Sequence, residues 1–140
     1  MSREDYDKAL KSGRKAFQDA RANGQSPYLR VLEEDTAGID MDSEVSLGVM
    51  DIPLDKIVGT NSHARSLSFA QNFMPLLPYG TEFSAKWISL CESHKEEGIR
   101  HAIHVYEYMN YFYVVEGNKR VSVLKYFGAV SIPAQVTRMV

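Results

Sequence analysis

Apolar positions along this chain switch between helical and strand spacing, and each switch marks an element. Ser2-Arg3-Glu4-Asp5 reads as a helix N-cap with acids in its first turn. Tyr6, Leu10 and Phe17, with Ala9, Ala16 and Ala20, then repeat at helical spacing until Asn23-Gly24 stops them. Ser26-Pro27 predicts a second, short helix with proline at its first position, running to about Glu34. Residues 35–43 are polar and turn-like. Val45, Leu47 and Val49 alternate with Glu44, Ser46 and Gly48, which predicts a strand with one buried face; Pro53 ends or edges its pairing. Ile52, Leu54 and Ile57 continue the apolar pattern more loosely.

Between Gly59 and Gly80 the periodicity weakens. Phe69, Phe73 and Leu76 share one helical face, closed by Pro75 and Pro78, and follow a polar loop of Thr60, Asn61, Ser62, His63 and Arg65. Phe83, Trp87, Leu90, Cys91 and His94 then define an amphipathic helix that Gly98 ends. Residues 103–108 and 111–115 read as a hairpin through Met109-Asn110. A tight turn at Gly117 leads into a helix up to Phe127, capped by Gly128, and residues 132–139 form a last strand. The expected architecture is α+β: a helical N-terminal arm over residues 1–44, then a domain over 45–140 with a small mixed sheet.

Composition supports a single folded unit. The 140 residues are 44% hydrophobic and include eight Tyr, six Phe and one Trp, ample for a core. A lone cysteine, Cys91, excludes an internal disulfide, and no Cys/His grouping has zinc-site spacing. With no signal peptide and no apolar run long enough to span a bilayer, the chain reads as cytoplasmic. The net charge is −2, yet the part from Gly98 onward carries five Lys/Arg against two Glu, while residues 1–50 carry seven against ten acids. That imbalance suits a small anionic ligand better than a broad nucleic-acid surface.

The candidate chemistry gathers at Glu116-Gly117-Asn118-Lys119-Arg120. A helix N-terminus carries unpaired N–H groups and the positive end of the dipole, so cations there are unfavourable for the helix itself. Lys119 and Arg120 in that first turn make more sense if an anion such as a phosphate joins them. The bland readings of the same residues are a turn glycine, a surface ion pair and a strand-end acid. His101 and His104 fall on opposite faces by alternation, and His94 reads as a core histidine. The aromatic run at Tyr106, Tyr108, Tyr111, Phe112 and Tyr113 suits a packed hairpin face better than a base-stacking platform.

In order, Ile52-Pro53-Leu54-Asp55-Lys56-Ile57, Arg65, a helix ending Glu97-Gly98-Ile99, Ile103-His104-Val105-Tyr106, Glu116 to Arg120, Gly128 and Ile132-Pro133-Ala134 resemble the ParB/sulfiredoxin-like fold over about residues 50–138. In ParB-like members the Gly-x-x-Arg turn and its helix hold the phosphates of CTP; in sulfiredoxins the equivalent turn grips ATP and its cysteine does the chemistry. Related free-serine kinases use an acidic residue just before the glycine. The resemblance therefore implies a nucleotide-binding module for CTP or ATP with Mg²⁺, regulatory or DNA-associated. Gly117, Asn118, Lys119 and Arg120 would hold phosphates, with Arg65 approaching from the facing loop. Glu116 would be the catalytic acid or metal ligand of a phosphotransferase or nuclease branch. The sulfiredoxin cysteine position is Asn118 here, so the nucleophile of that enzyme is missing. The second phosphate motif and the helix-turn-helix domain of chromosome-partitioning ParB proteins are absent from this sequence. A third reading stays open, an interaction domain with a vestigial turn whose N-terminal helices carry a protein-partner surface.

Overall fold

The computed structural model describes residues 2–39 and 43–140. Its elements are helix α1 (Ser2–Ala22), strand β1 (Arg30–Val31), the single turn α2 (Leu32–Asp35), strand β2 (Glu44–Pro53), a 3-10 turn at Leu54–Lys56, strand β3 (Ile57–Thr60), α3 (His63–Ser66), α4 (Glu82–Glu96), strands β4 (Ile103–Tyr108) and β5 (Tyr111–Glu116), α5 (Asn118–Tyr126) and β6 (Ser131–Met139). The described strands form one six-stranded sheet in the order β1-β3-β5-β4-β6-β2. It is mixed: β1–β3, β3–β5 and β4–β6 run parallel, while β4–β5 and β2–β6 run antiparallel. The α+β class expected from the apolar pattern is what the chain adopts.

The hairpin forms as expected. Met109 and Asn110 take φ of 52° and 69°, the two left-handed residues that match the twist of paired strands. In α4, Thr81 Oγ1 accepts from the Ser84 amide at 3.1 Å. Gly98, at φ 81°, closes the same helix by donating to the His94 and Ser93 carbonyls.

Two layers of apolar packing sit on the sheet. The inner one joins Ile52, Ile57, Ile103, Val105, Val114, Ile132 and Val136 to Val121 and Leu124 of α5, with Phe69 and Phe73. The outer one joins Tyr6, Ala9 and Leu10 of α1 to Trp87 and Cys91 of α4 and to Val123. Gly13 lets α1 lie close on the backbone of Met74 and Pro75; a Cβ there would collide with the Pro75 carbonyl oxygen. Tyr6 is buried, its hydroxyl donates to the Leu77 carbonyl at 2.5 Å, and burial pushes its pKa up to about 12. His94 packs its ring on Phe127, 4.9 Å between centroids, and its Nδ1 has no partner among the described residues.

Three expectations are corrected. The helix expected from Ser26 to Glu34 is only the turn α2, because Tyr28 bridges to Ala70 and Arg30–Val31 pair with Gly59–Thr60. Burial of Leu29 and Val31 follows a strand period there, so long-range pairing overrides the local proline start. The face expected to bury Val45, Leu47 and Val49 does not: β2 is an edge strand, and Val45 and Val49 are 45% and 64% exposed. A bulge between Ser46 and Gly48 (φ 77°) also breaks the alternation. Phe69 to Leu76 is not helical. Phe73 stands at φ 67°, the Ala70 amide donates to the Met74 carbonyl and Leu76 to Ser68, so the segment folds as tight turns that still bury both phenylalanines. Of the polar turn expected over 35–43, residues 40–42 lie outside the described residues.

Asp5 ties α1 to the body. Its carboxylate accepts from Lys95 and Cys91 of α4 and, at 2.8 Å, from the Tyr126 hydroxyl of α5. Burial opposes the charge, but the hydrogen bonds from Lys95 and Tyr126 outweigh it and hold the carboxyl below its ordinary value. A lowered folded-state pKa contributes stability that is complete above the ordinary carboxylate range of about 4 and is lost as pH falls through the folded value. Asp5→Asn is therefore expected to lower Tm by several degrees at pH 7 and to flatten the acid limb of the Tm–pH curve. Equal Tm values for the two proteins from pH 3 to pH 7 would remove Asp5 from that role.

Candidate functional site

β5 ends at Glu116, and Gly117 (φ 114°, ψ 21°) turns the backbone directly into α5. The Gly117 carbonyl accepts from the Val121 amide at 3.0 Å, so the amides of Asn118, Lys119 and Arg120 precede the first intrahelical bond and lack helical acceptors. The space a Cβ would take at 117 is filled by Ile103, whose Cβ would lie 2.9 Å away, and by the Arg120 Nη2 at 3.3 Å. Packing behind the turn thus demands the glycine.

Asn118 is 7% exposed and faces the end of β3. Its Nδ2 donates to Thr60 Oγ1 at 3.1 Å, and that hydroxyl donates to the Val114 carbonyl at 3.0 Å. The Asn61 amide donates to the same carbonyl at 2.8 Å. This chain fixes the start of α5 against the strand that leads into α3, the turn carrying Arg65. Asn118 Oδ1 is buried with no hydrogen-bond partner among the described residues.

The two cations of the turn part company. Arg120 turns back along the strand side: Nη2 donates to Glu116 Oε1 at 2.9 Å, and Nη1 to the His101 and Ala102 carbonyls at 3.2 and 3.3 Å. Its side chain is 17% exposed, against 77% for Glu116. Lys119 goes the other way, its ammonium 5.3 Å from the ring centroid of Phe83 in the first turn of α4. Burial, then the like charges of Lys86 and Arg65, hold the Lys119 ammonium below its ordinary pKa; Glu82 acts in the opposite sense. Glu82 itself bonds Lys86 at 2.9 Å.

The structure therefore points Asn118 at Thr60 and Lys119 at Phe83, with the Arg65 charge acting on Lys119, and pairs Arg120 with Glu116 on the strand side. The charge of Lys86 on α4 also acts on Lys119, and the apolar pattern of that helix did not single it out. Its one local signal was its place in the first two turns of α4, where a lysine opposes the helix dipole much as Lys119 does in α5. A resident Mg²⁺ fits Glu116 poorly. Glu116 Oε1 already accepts from a guanidinium, its carboxylate stands alone, and among the described residues no three His, Cys, Asp or Glu side chains group together.

No protein-family model matches the chain, and no curated protein matches it. Among solved structures it is similar to the crystal structure of sulfiredoxin from Arabidopsis thaliana, at 19% identity over 63% of this chain and 82% of that one, with a TM-score of 0.44. No helix of the described residues is long and apolar enough to cross a membrane.

Proposed function

We propose that this chain binds a nucleotide, CTP or ATP, by its phosphates at the N-terminus of α5. The observation that carries this reading is the helix start itself: the amides of Asn118, Lys119 and Arg120 have no helical acceptor, and Lys119 lies at Phe83 of α4, where the like charges of Lys86 and Arg65 act on it and Glu82 opposes them. Such a cluster repels itself, and a phosphate relieves the repulsion while taking up the free N–H groups. The likeness of the Glu116–Arg120 turn to ParB/sulfiredoxin-like sequences supports the same assignment. Lys119 and Arg65 contact the phosphates in this reading, and Lys86 adds charge from α4. Arg120, through Glu116 and two carbonyls, keeps the turn in shape. Mg²⁺ arrives with the nucleotide, coordinated chiefly by phosphate oxygens and water.

Calorimetry with CTP, ATP and ADP, with and without Mg²⁺, tests this. Saturable binding is expected, weakened about 10- to 100-fold by Lys119→Ala or Arg65→Ala, the loss of a charge-assisted contact. A folded sample that binds none of the three, or binding unchanged in Lys119→Ala, would overturn it. Phosphate release in the same samples decides the role of Glu116. Turnover abolished in Glu116→Gln with binding kept would make it the catalytic acid of a phosphotransferase or nuclease; binding without turnover leaves a regulatory module.

A further inference from the structure

Away from that site, α1 carries a surface that neither the fold nor the nucleotide reading uses. Tyr6, Ala9, Leu10, Gly13 and Ala20 face inward, while Lys11, Arg14, Gln18 and Arg21, spaced three, four and three residues apart, line one outer flank. Beside this flank lies an apolar cleft of about 350 Å³ between α1 and the 67–77 segment, lined by Phe17, Tyr28, Leu67, Leu76 and Leu77 with Arg14 at its rim. Leu67 is 42% exposed, and the Phe17 and Tyr28 rings meet edge to face at 5.4 Å. Two further clefts on the surface of α1 share Gln18 with it, one of about 500 Å³ reaching back to Asp7 and one of about 490 Å³ reaching on to Ala22. Together the three clefts span α1 from Asp7 to Ala22, 15 residue steps or about 22 Å at helical rise.

The charge along the groove that has no ion-pair partner among the described residues is of one sign. Asp7 lies 4.0 Å from Arg3, and Asp19 is held by Lys15 at 3.1 Å. Among the described residues Lys11, Arg14 and Arg21 have no acidic partner. We infer that this groove is a docking site for an acidic amphipathic helix of another protein, of about four turns. Its apolar face would seat in the Phe17–Leu67–Leu77 cleft and its carboxylates would meet Lys11, Arg14 and Arg21. An apolar slot with cations along one edge is the complement of a helix with an apolar stripe and an acidic flank. Membrane binding draws on a wider apolar face or a denser cationic cluster than three spaced cations provide.

A phage-displayed library of random 16-residue peptides, selected against the full chain, tests this without assuming a partner. The expected pool is net acidic, with apolar residues at i, i+3 or i+4, and i+7. A synthetic consensus peptide, followed by fluorescence anisotropy, should bind at least about tenfold more weakly to Arg14→Glu and to Leu67→Asp. Lys56→Glu, a substitution at a distant exposed residue, should bind it as the parent does. Circular dichroism of both groove variants should match the parent, since both positions are exposed. The inference fails if no peptide family is enriched, if the enriched family is not acidic, or if Arg14→Glu and Leu67→Asp bind the consensus unchanged. It also fails if the chain ignores the peptides but sediments with phosphatidylserine vesicles. Nucleotide titration of the same variants should be unaffected, which separates this surface from the α5 site.

Discussion

Gly117→Ala is expected to unfold the turn that the candidate site is built on, at a cost of about 2–5 kcal/mol. Two physical terms add. The backbone stands at φ 114°, where a side chain is strained whatever the space around it, and the new methyl would press on Ile103, itself 1% exposed. Ile103 is β-branched and packed among Val105, Val121 and Ile132, so it has no free rotamer to retreat into. Urea unfolding followed by circular dichroism should show the loss, and nucleotide affinity should fall further than stability because the amides of Asn118 and Lys119 are displaced. Combining Gly117→Ala with Ile103→Ala separates the two terms. The pair should be less destabilised than the sum of the singles, since the truncated side chain leaves room for the methyl. Strict additivity would mean that the backbone conformation alone demands the glycine. A Gly117→Ala protein as stable as the parent would show that the turn is not held as described.

Trp87→Ala is expected to cost about 3–5 kcal/mol and to lower Tm by roughly 10–20 °C. Trp87 is fully buried where α1, α4 and α5 meet, with edge-to-face contacts to Tyr6 at 5.4 Å and Tyr126 at 5.6 Å. Its Nε1–H donates to Ser122 Oγ at 2.9 Å, and both atoms are inside the core. Truncation opens a cavity between all three helices and leaves the serine hydroxyl without its donor. Because Trp87 is the one tryptophan, the unfolding curve must be read by circular dichroism rather than by its fluorescence. Trp87→Phe should be milder, and adding Ser122→Ala should recover part of its loss, because replacing both partners strands no polar group. If Trp87→Ala unfolds in two separate steps, with α1 leaving first, the helix behaves as an arm; a single transition makes it part of the same core.

Much of the candidate site was legible because its signals are local. Glycine after a run of β-branched and aromatic residues, followed at once by a helical period, specifies a strand, a left-handed turn and a helix within a dozen residues. That arrangement holds at Tyr111 to Tyr126. The direction of each cation was not legible. Lys119 and Arg120 are neighbours in sequence, but consecutive helical residues point about 100° apart. Lys119 reaches Phe83 on α4 and Arg120 the His101 carbonyl, partners that the turn does not specify; only the ion pair of Arg120 with Glu116 lay within the turn and was open in the sequence. Lys86 escaped notice for the same reason: its meaning depends on where α4 packs, 33 residues away in sequence from Lys119.

By itself the sequence determined the α+β class, the hairpin, the amphipathic helix ending at Gly98, and the Gly117 turn that opens a helix carrying two cations. Period, caps and left-handed glycines act within one or two turns, so they survive in the linear pattern. Tertiary structure alone decided that Arg30–Val31 pair as a strand, that β2 lies at an uncovered edge, and that Phe69 and Phe73 are buried by turns instead of a helix. Those outcomes rest on hydrogen bonds and burial between segments far apart in the chain, which outweigh propensities worth at most about 1 kcal/mol per residue. The same long-range packing turned Arg120 inward to hold the Glu116–Gly117 turn and sent Lys119 toward Phe83 of α4, where the like charges of Lys86 and Arg65 act on it.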